Sequence, residues 1–185
     1  EITQWDMGRW PDPVLRRPAS SVDPKWFGTM QLKRLCETLE RTARNNEAVG
    51  LAAQQCGVDA RIVYIQIPRP IVMVNPIIVD RSKEENMKVW TEFCLVLPPS
   101  FAATVLRDAS VEIQYQDWKG TNRIAKLNGE AARCAQHELD HDRGILTLDH
   151  IDLEEMENDT MRQIEKNGHH RRQLEAFSRE VEPRN

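Results

Sequence analysis

Asn128-Gly129-Glu130-Ala131-Ala132-Arg133-Cys134-Ala135-Gln136-His137-Glu138-Leu139-Asp140-His141-Asp142-Arg143-Gly144 is the stretch whose reading settles the architecture. Asn128 favours the position ahead of a helix and Gly144 the position past its end, so the pattern predicts a helix from Asn128 to Arg143. What precedes it reads as strand. Ile62-Val63-Tyr64-Ile65-Gln66-Ile67 is β-branched and aromatic, prolines interrupt, and Val72 to Val79 resumes, giving strand character from Arg61 to Asp80. Ser110 to Gln116 alternates with period two, Asp117-Trp118-Lys119-Gly120 reads as a turn, and Arg123 to Leu127 as the returning arm of a hairpin. Further back, Leu32, Leu35, Cys36, Leu39 and Ala43 recur at spacings of three and four. They form the apolar stripe of an amphipathic helix from Trp26 to Arg44, with Asn45 and Asn46 as stop signals. Strands set against one central helix predict an α+β fold, with antiparallel or mixed sheets packed around the helix that carries His-Glu-x-x-His. Residues 1–150 should form the main domain and residues 151–185 a charged, mostly helical extension, broken near Asn167-Gly168.

With 185 residues, 40% hydrophobic and 29% charged, the chain has the make-up of an ordinary globular protein. No apolar run approaches the ~18 residues of a membrane-spanning helix, so no membrane association is expected. A formal net charge of −4 disfavours non-specific nucleic-acid binding, and no sequence-specific reader is evident. His169-His170-Arg171-Arg172 lies among acidic residues and reads as a solvated helix face. Cys36, Cys56, Cys94 and Cys134 are too few for a disulfide-stapled module of this size, which points to reduced thiols in a reducing compartment.

Within the second helix, His137 and His141 are four apart. At ~100° per residue they stand one turn apart on one face, near enough to chelate one ion. Glu138 sits one position round, where a base acting on an activated water belongs. A catalytic ion normally takes three protein ligands, and two histidines leave one to find. Cys94, Cys134, Glu154, Glu155 and Glu157 are the candidates.

Three further segments bring a family into view. Glu92-Phe93-Cys94-Leu95 with Pro98 resembles the E-G-C-L-S motif of the peptide deformylases. Val49-Gly50-Leu51-Ala52-Ala53-Gln54-Gln55 resembles their G-V-G-L-A-A-x-Q. Pro11-Asp12-Pro13-Val14-Leu15-Arg16 is similar to their N-terminal segment. The likeness runs from about residue 10 to 150, in family order. It implies a metal-dependent hydrolase that removes the N-formyl group from N-formyl-methionyl nascent peptides, acting near the ribosome. It also implies Cys94, His137 and His141 as ligands of one Fe²⁺ (or Zn²⁺, Co²⁺ or Ni²⁺), with Glu138 as acid and base. Gln55 and the backbone N–H of Leu95 would hold the oxyanion. Val49, Gly50, Leu51, Phe93, Arg133 and Cys134 would line the peptide groove, and Glu92 with Arg107 would support the ligands. The chemistry fits: a dication lowers the pKa of bound water from about 15.7 to ~7, and a carboxylate can then carry its proton to the leaving amine.

The chain departs from the family pattern at Ala48 and Phe93, both glycine positions, at Val96, a serine position, and at Asp142, a leucine position. Ala102 stands near a place where an Arg is usual. Phe93 bears most on the substrate pocket, since a large ring there adjoins Cys94. These departures and a start at Glu1 favour a mitochondrion or plastid, with the bacterial cytoplasm as the other expectation. Two rivals remain at this level. One is a zinc endopeptidase drawing its third ligand from Glu154, Glu155 or Glu157. The other is a non-catalytic, deformylase-like binder of metal or peptide.

Overall fold

The computed structural model describes residues 4–150. The expected extension from 151 onward, with the downstream acids of the endopeptidase reading, lies outside the described residues. Among the described residues, two helices, α1 (Met30–Asn45) and α2 (Gly129–His141), accompany seven strands: β1 (Gly50–Ala52), β2 (Ile62–Ile65), β3 (Ile71–Arg81), β4 (Lys88–Glu92), β5 (Ala103–Arg107), β6 (Ser110–Gln116) and β7 (Asn122–Asn128). Five strands form one sheet in the order β1-β2-β3-β6-β7, and β4 and β5 form a separate hairpin. Every pairing among the described residues is antiparallel, which bears out the α+β expectation and favours antiparallel over mixed sheets.

The apolar run of β2 has a direct cause. Val63 and Ile65 pack with Ala132, Ala135 and Leu139 of α2, while Ile62 and Tyr64 pack with Leu32, Leu39 and Ala43 of α1. The strand is covered on both faces, so both sets of alternate residues are apolar. Strand β6 alternates instead, with Val111 and Ile113 buried towards α2 and Glu112 and Gln114 on the other face. A third cluster, with Trp10, Leu15, Leu97, Phe101 and Leu146 at its centre, packs under the segment that follows β4.

Several expected boundaries move. The first helix begins at Met30 rather than Trp26, because Asp23 caps a separate 3-10 turn over Pro24–Trp26 and Thr29 then caps α1 through the N–H of Leu32. The second ends at His141 rather than Arg143. Asn128 occupies its N-cap position without a side-chain cap bond, and the N–H of Gly129 donates instead to the carbonyl of Ala109. Strand β2 stops at Ile65. Strand β3 runs on to Arg81, with a register shift where Asn75 adopts φ 51° ahead of Pro76.

Candidate active site

Cys94 lies two residues past the end of β4, opening a turn closed by the N–H of Leu97 donating to its carbonyl. Two turns of α2 bring His137 and His141 up against it. Sγ of Cys94 lies 3.2 Å from Nε2 of His141, which lies 3.2 Å from Nε2 of His137. One ligand atom from each of the three residues falls within 4.8 Å of the others, and all three side chains are buried. One sulfur and two imidazole nitrogens facing one point could hold a single borderline-soft dication. Cys134, the other thiol candidate, is not in this group: its Sγ reaches the carbonyl of Val49 at 3.5 Å, and burial keeps its thiol protonated by pushing its pKa up.

Glu92, the last residue of β4, prepares His137 for such a role. Its Oε2 accepts from Nδ1 of His137 at 2.8 Å, which leaves Nε2 as the nitrogen that would meet an ion, once the ion displaces the proton held there. Arg107 on β5 grips the same carboxylate with two bonds of 2.9 Å, from Nε to Oε1 and from Nη2 to Oε2. Burial alone would raise the pKa of Glu92, but Arg107 and His137 outweigh it and hold the carboxyl at about 2. Burial likewise opposes charge on Cys94, and the two imidazoles overcome it, bringing the thiol down to about 5. His137 moves the other way, up to about 10 against its burial, drawn by Cys94 and Glu92. A spot that draws a proton so strongly onto the ring is a spot that favours a cation.

Glu138 is buried beside these three side chains, with its Oε2 unpartnered among the described residues. Burial raises its pKa, against the pull of His137 and His141. Its space exists because residue 50 is glycine. A Cβ there would stand 2.5 Å from Oε1 of Glu138, 2.7 Å from its Cγ and 2.7 Å from Sγ of Cys134. Gln55 is buried as well, and its Oε1 accepts from the N–H of Ala52 at 2.7 Å. With the oxygen committed, what its amide has left to offer is N–H donors.

A cleft of about 510 Å³ opens onto this cluster. Val49, Gly50, Gln55, Phe93 and Leu95 line it together with Cys94, His137 and Glu138, and Arg133 and Cys134 complete one wall. The guanidinium of Arg133 is held over the ring of Trp90, 5.8 Å from its centroid, and paired with Glu130. Leu51 does not belong with these residues. Its side chain is fully buried in the core against α1, which corrects the expectation that it faces the groove. Among the departures from the family pattern, Phe93 is 67% exposed at the mouth of the cleft, and Ala48 and Val96 are buried packing residues. Asp142 is buried in an ion pair with Nε of Arg61 at 2.7 Å. Sequence reading missed Asp140, whose Oδ2 receives Nη1 of Arg107 at 2.5 Å. Its place between the two histidines was the available signal, but nothing in the spacing tied it to residue 107.

Known proteins of one family resemble this chain in sequence and fold. Residues 6–157 match the family model described as polypeptide deformylase. A peptide deformylase of Rhizobium meliloti (strain 1021) is 33% identical over 150 residues, covering 76% of this chain and 81% of its own. Among solved structures, a peptide deformylase from Synechococcus elongatus in complex with actinonin has a TM-score of 0.76 at 28% identity, covering 89% of this chain and 88% of its own. The Met-Ala-Ser-bound class I type b peptide deformylase from Acinetobacter baumannii has a TM-score of 0.75 at 26% identity, covering 82% of this chain and all of its own.

Proposed function

The chain belongs to the polypeptide deformylase family and hydrolyses the N-formyl amide of nascent polypeptides, and we propose that Cys94, His137 and His141 hold one dication while Glu138 carries the proton. When bound, the ion supplies Lewis acidity at the formyl carbonyl and lowers the pKa of a water molecule. A thiolate with two imidazoles suits Fe²⁺, our preferred ion, and accepts Zn²⁺, Co²⁺ or Ni²⁺ in its place.

The remaining work falls to the chain. Glu138, its pKa raised by burial, takes a proton from the attacking water and delivers it to the amine nitrogen as the C–N bond breaks, releasing formate. The N–H donors of Gln55 and the backbone N–H of Leu95 receive the negative charge that grows on the formyl oxygen. One such donor is worth about 3–4 kcal/mol in the transition state. Glu92, fixed by Arg107, keeps the lone pair of His137 aimed inward. Val49, Gly50, Phe93, Arg133 and Cys134 form the walls along which the formyl-methionyl peptide lies, a reading supported by the peptide held in the Acinetobacter baumannii relative. The thiolate calls for a reducing compartment, which a mitochondrion, a plastid or a bacterial cytoplasm provides, and the nascent chain would be met as it leaves the ribosome.

The observation that carries this reading is the convergence of one sulfur and two Nε2 atoms, with an unpartnered buried carboxylate alongside. Cys94 completes the donor set without a downstream acid, which removes the reason for an endopeptidase. The test is formate release from formyl-Met-Ala-Ser by Fe²⁺- or Co²⁺-loaded wild type and Glu138→Gln. The variant should retain its metal and lose about 10²–10⁴-fold in kcat. Full turnover by Glu138→Gln would remove Glu138 from the proton path.

A further inference from the structure

We propose that His150, which does not line the cleft, is a positioning residue for the ligand His137, acting through Asp140, Arg107 and Glu92. The inference rests on the reading of Cys94, His137 and His141 as an ion-binding set. His150 closes a 3-10 turn, Thr147–His150, that follows α2. Its Nε2 lies 2.7 Å from Oδ2 of Asp140, and a carboxylate only accepts, so the ring donates there. The same oxygen accepts from Nη1 of Arg107. The opposite edge of that guanidinium is spent on both oxygens of Glu92, and Glu92 holds Nδ1 of His137. A continuous series of hydrogen bonds thus runs from a side chain 31% exposed at the surface to a ligand 7% exposed.

The arrangement is more than a clasp between a turn and a helix, because Arg107 is contested. Two carboxylates, Glu92 and Asp140, share one guanidinium whose side chain is 4% exposed. A planar fork cannot turn towards one of them without loosening its grip on the other. The N–H of His150 meets part of the hydrogen-bonding demand of Asp140 and leaves Arg107 seated squarely on Glu92. Without it, Asp140 must draw harder on Nη1, tilting the fork and slackening the bond that orients His137. The donor is itself well anchored: Oδ2 of Asp149 accepts from the N–H of Leu146 at 2.7 Å and from Arg16, which fixes the turn that presents His150.

Cobalt tests this without relying on turnover. Co²⁺ affinity, measured by chelator competition, should weaken about tenfold in His150→Phe, the low end for groups that orient a metal ligand. The thiolate-to-cobalt absorption band should move as well. His150→Gln, whose amide N–H can stand where Nε2–H stood, should restore both. If His150→Phe fails to fold, His150→Ala leaves no bulk to misfit and should weaken Co²⁺ binding in the same way. Wild-type affinity and spectrum in the variant lacking the donor, with only a lower Tm of the metal-free protein, would overturn the proposal and make the contact a structural clasp. Failure of the wild type to bind Co²⁺ at all would instead overturn the reading of the site itself.

Discussion

Replacing Gly50 by alanine adds one methyl group at the place where the site has least room. The new Cβ would meet Oε1 of Glu138 at 2.5 Å, its Cγ at 2.7 Å and Sγ of Cys134 at 2.7 Å, where ordinary contact starts at 3.4 Å. All three atoms belong to buried residues of α2, so neither neighbour can swing into solvent. The carboxylate must therefore retreat by roughly 1 Å, a misplacement that can lower the rate ~10²-fold when it falls on a reacting group. Forcing a methyl group into a packed interior costs about 1–3 kcal/mol, or a fall in Tm of about 3–9 °C for a chain of this length. None of the three contacted atoms is a metal ligand, so metal content should hold. The assays are formate release from formyl-Met-Ala-Ser, metal analysis and differential scanning calorimetry on the same preparations. A Gly50→Ala protein with wild-type kcat/KM would refute the reasoning, because the room for Glu138 would then not depend on the missing side chain.

Removing the metal with a chelator should open Cys94 to alkylation, since its sulfur faces the cleft, while Cys36 and Cys56, pushed to about 12 chiefly by burial, stay protonated and react slowly. Mass spectrometry of tryptic peptides, with and without added Zn²⁺, reads the difference. Phe93→Ala should change stability by less than about 0.5 kcal/mol, as the ring is 67% exposed. Its effect should appear in KM for formyl peptides rather than in kcat, and an unchanged KM would exclude the ring from substrate binding. Asp142→Leu should destabilise the fold by about 1–3 kcal/mol because it strands Arg61, whereas Asp142→Leu with Arg61→Met should recover most of that loss. Burial, only partly offset by Arg61, raises the Asp142 pKa, so its contribution is full when the carboxyl is protonated and is lost as pH rises through its folded pKa. Denaturation of Asp142→Asn across that range should show a flatter pH dependence than wild type.

Elements whose faces leave a clear pattern were the legible ones, β2 by an unbroken β-branched and aromatic run because both its faces are covered. Strand β6 alternates because one face meets α2 and the other does not, and α1 carries its stripe because one side rests on β1 and β2. The hairpin was invisible for the opposite reason. There the polar Glu92 and Arg107 point inward, while Val89 and Leu106 lie exposed at 67% and 54%, so the usual pattern is inverted. Strand β1, three residues long, is too short to show a period. The site divides in the same way. His137, Glu138 and His141 could be read because helix geometry relates them locally. Cys94 could be joined to them only through a resemblance, since neither period nor spacing links the end of one strand to a helix far along the chain. Asp140 and His150 look like ordinary surface residues until the fold brings them to Arg107.

Strands β4 and β5 bond to each other and, among the described residues, to no strand of the main sheet. Nothing in the backbone ladder ties this hairpin down, yet the sulfur that must face both imidazoles lies at its end. Beyond the bond from the N–H of Trp10 to the carbonyl of Val96 and the apolar packing below it, its moorings to α2 are side chains: Glu92 to His137, and Arg107 to Asp140. These tethers lie where salt scarcely reaches, so raising ionic strength should leave the hairpin in place while it weakens surface pairs such as Lys33 with Glu37. With Cys94, His137 and His141 as the proposed ligands, the grip on an ion and the seating of the hairpin become one property, and a change made to either is felt by both.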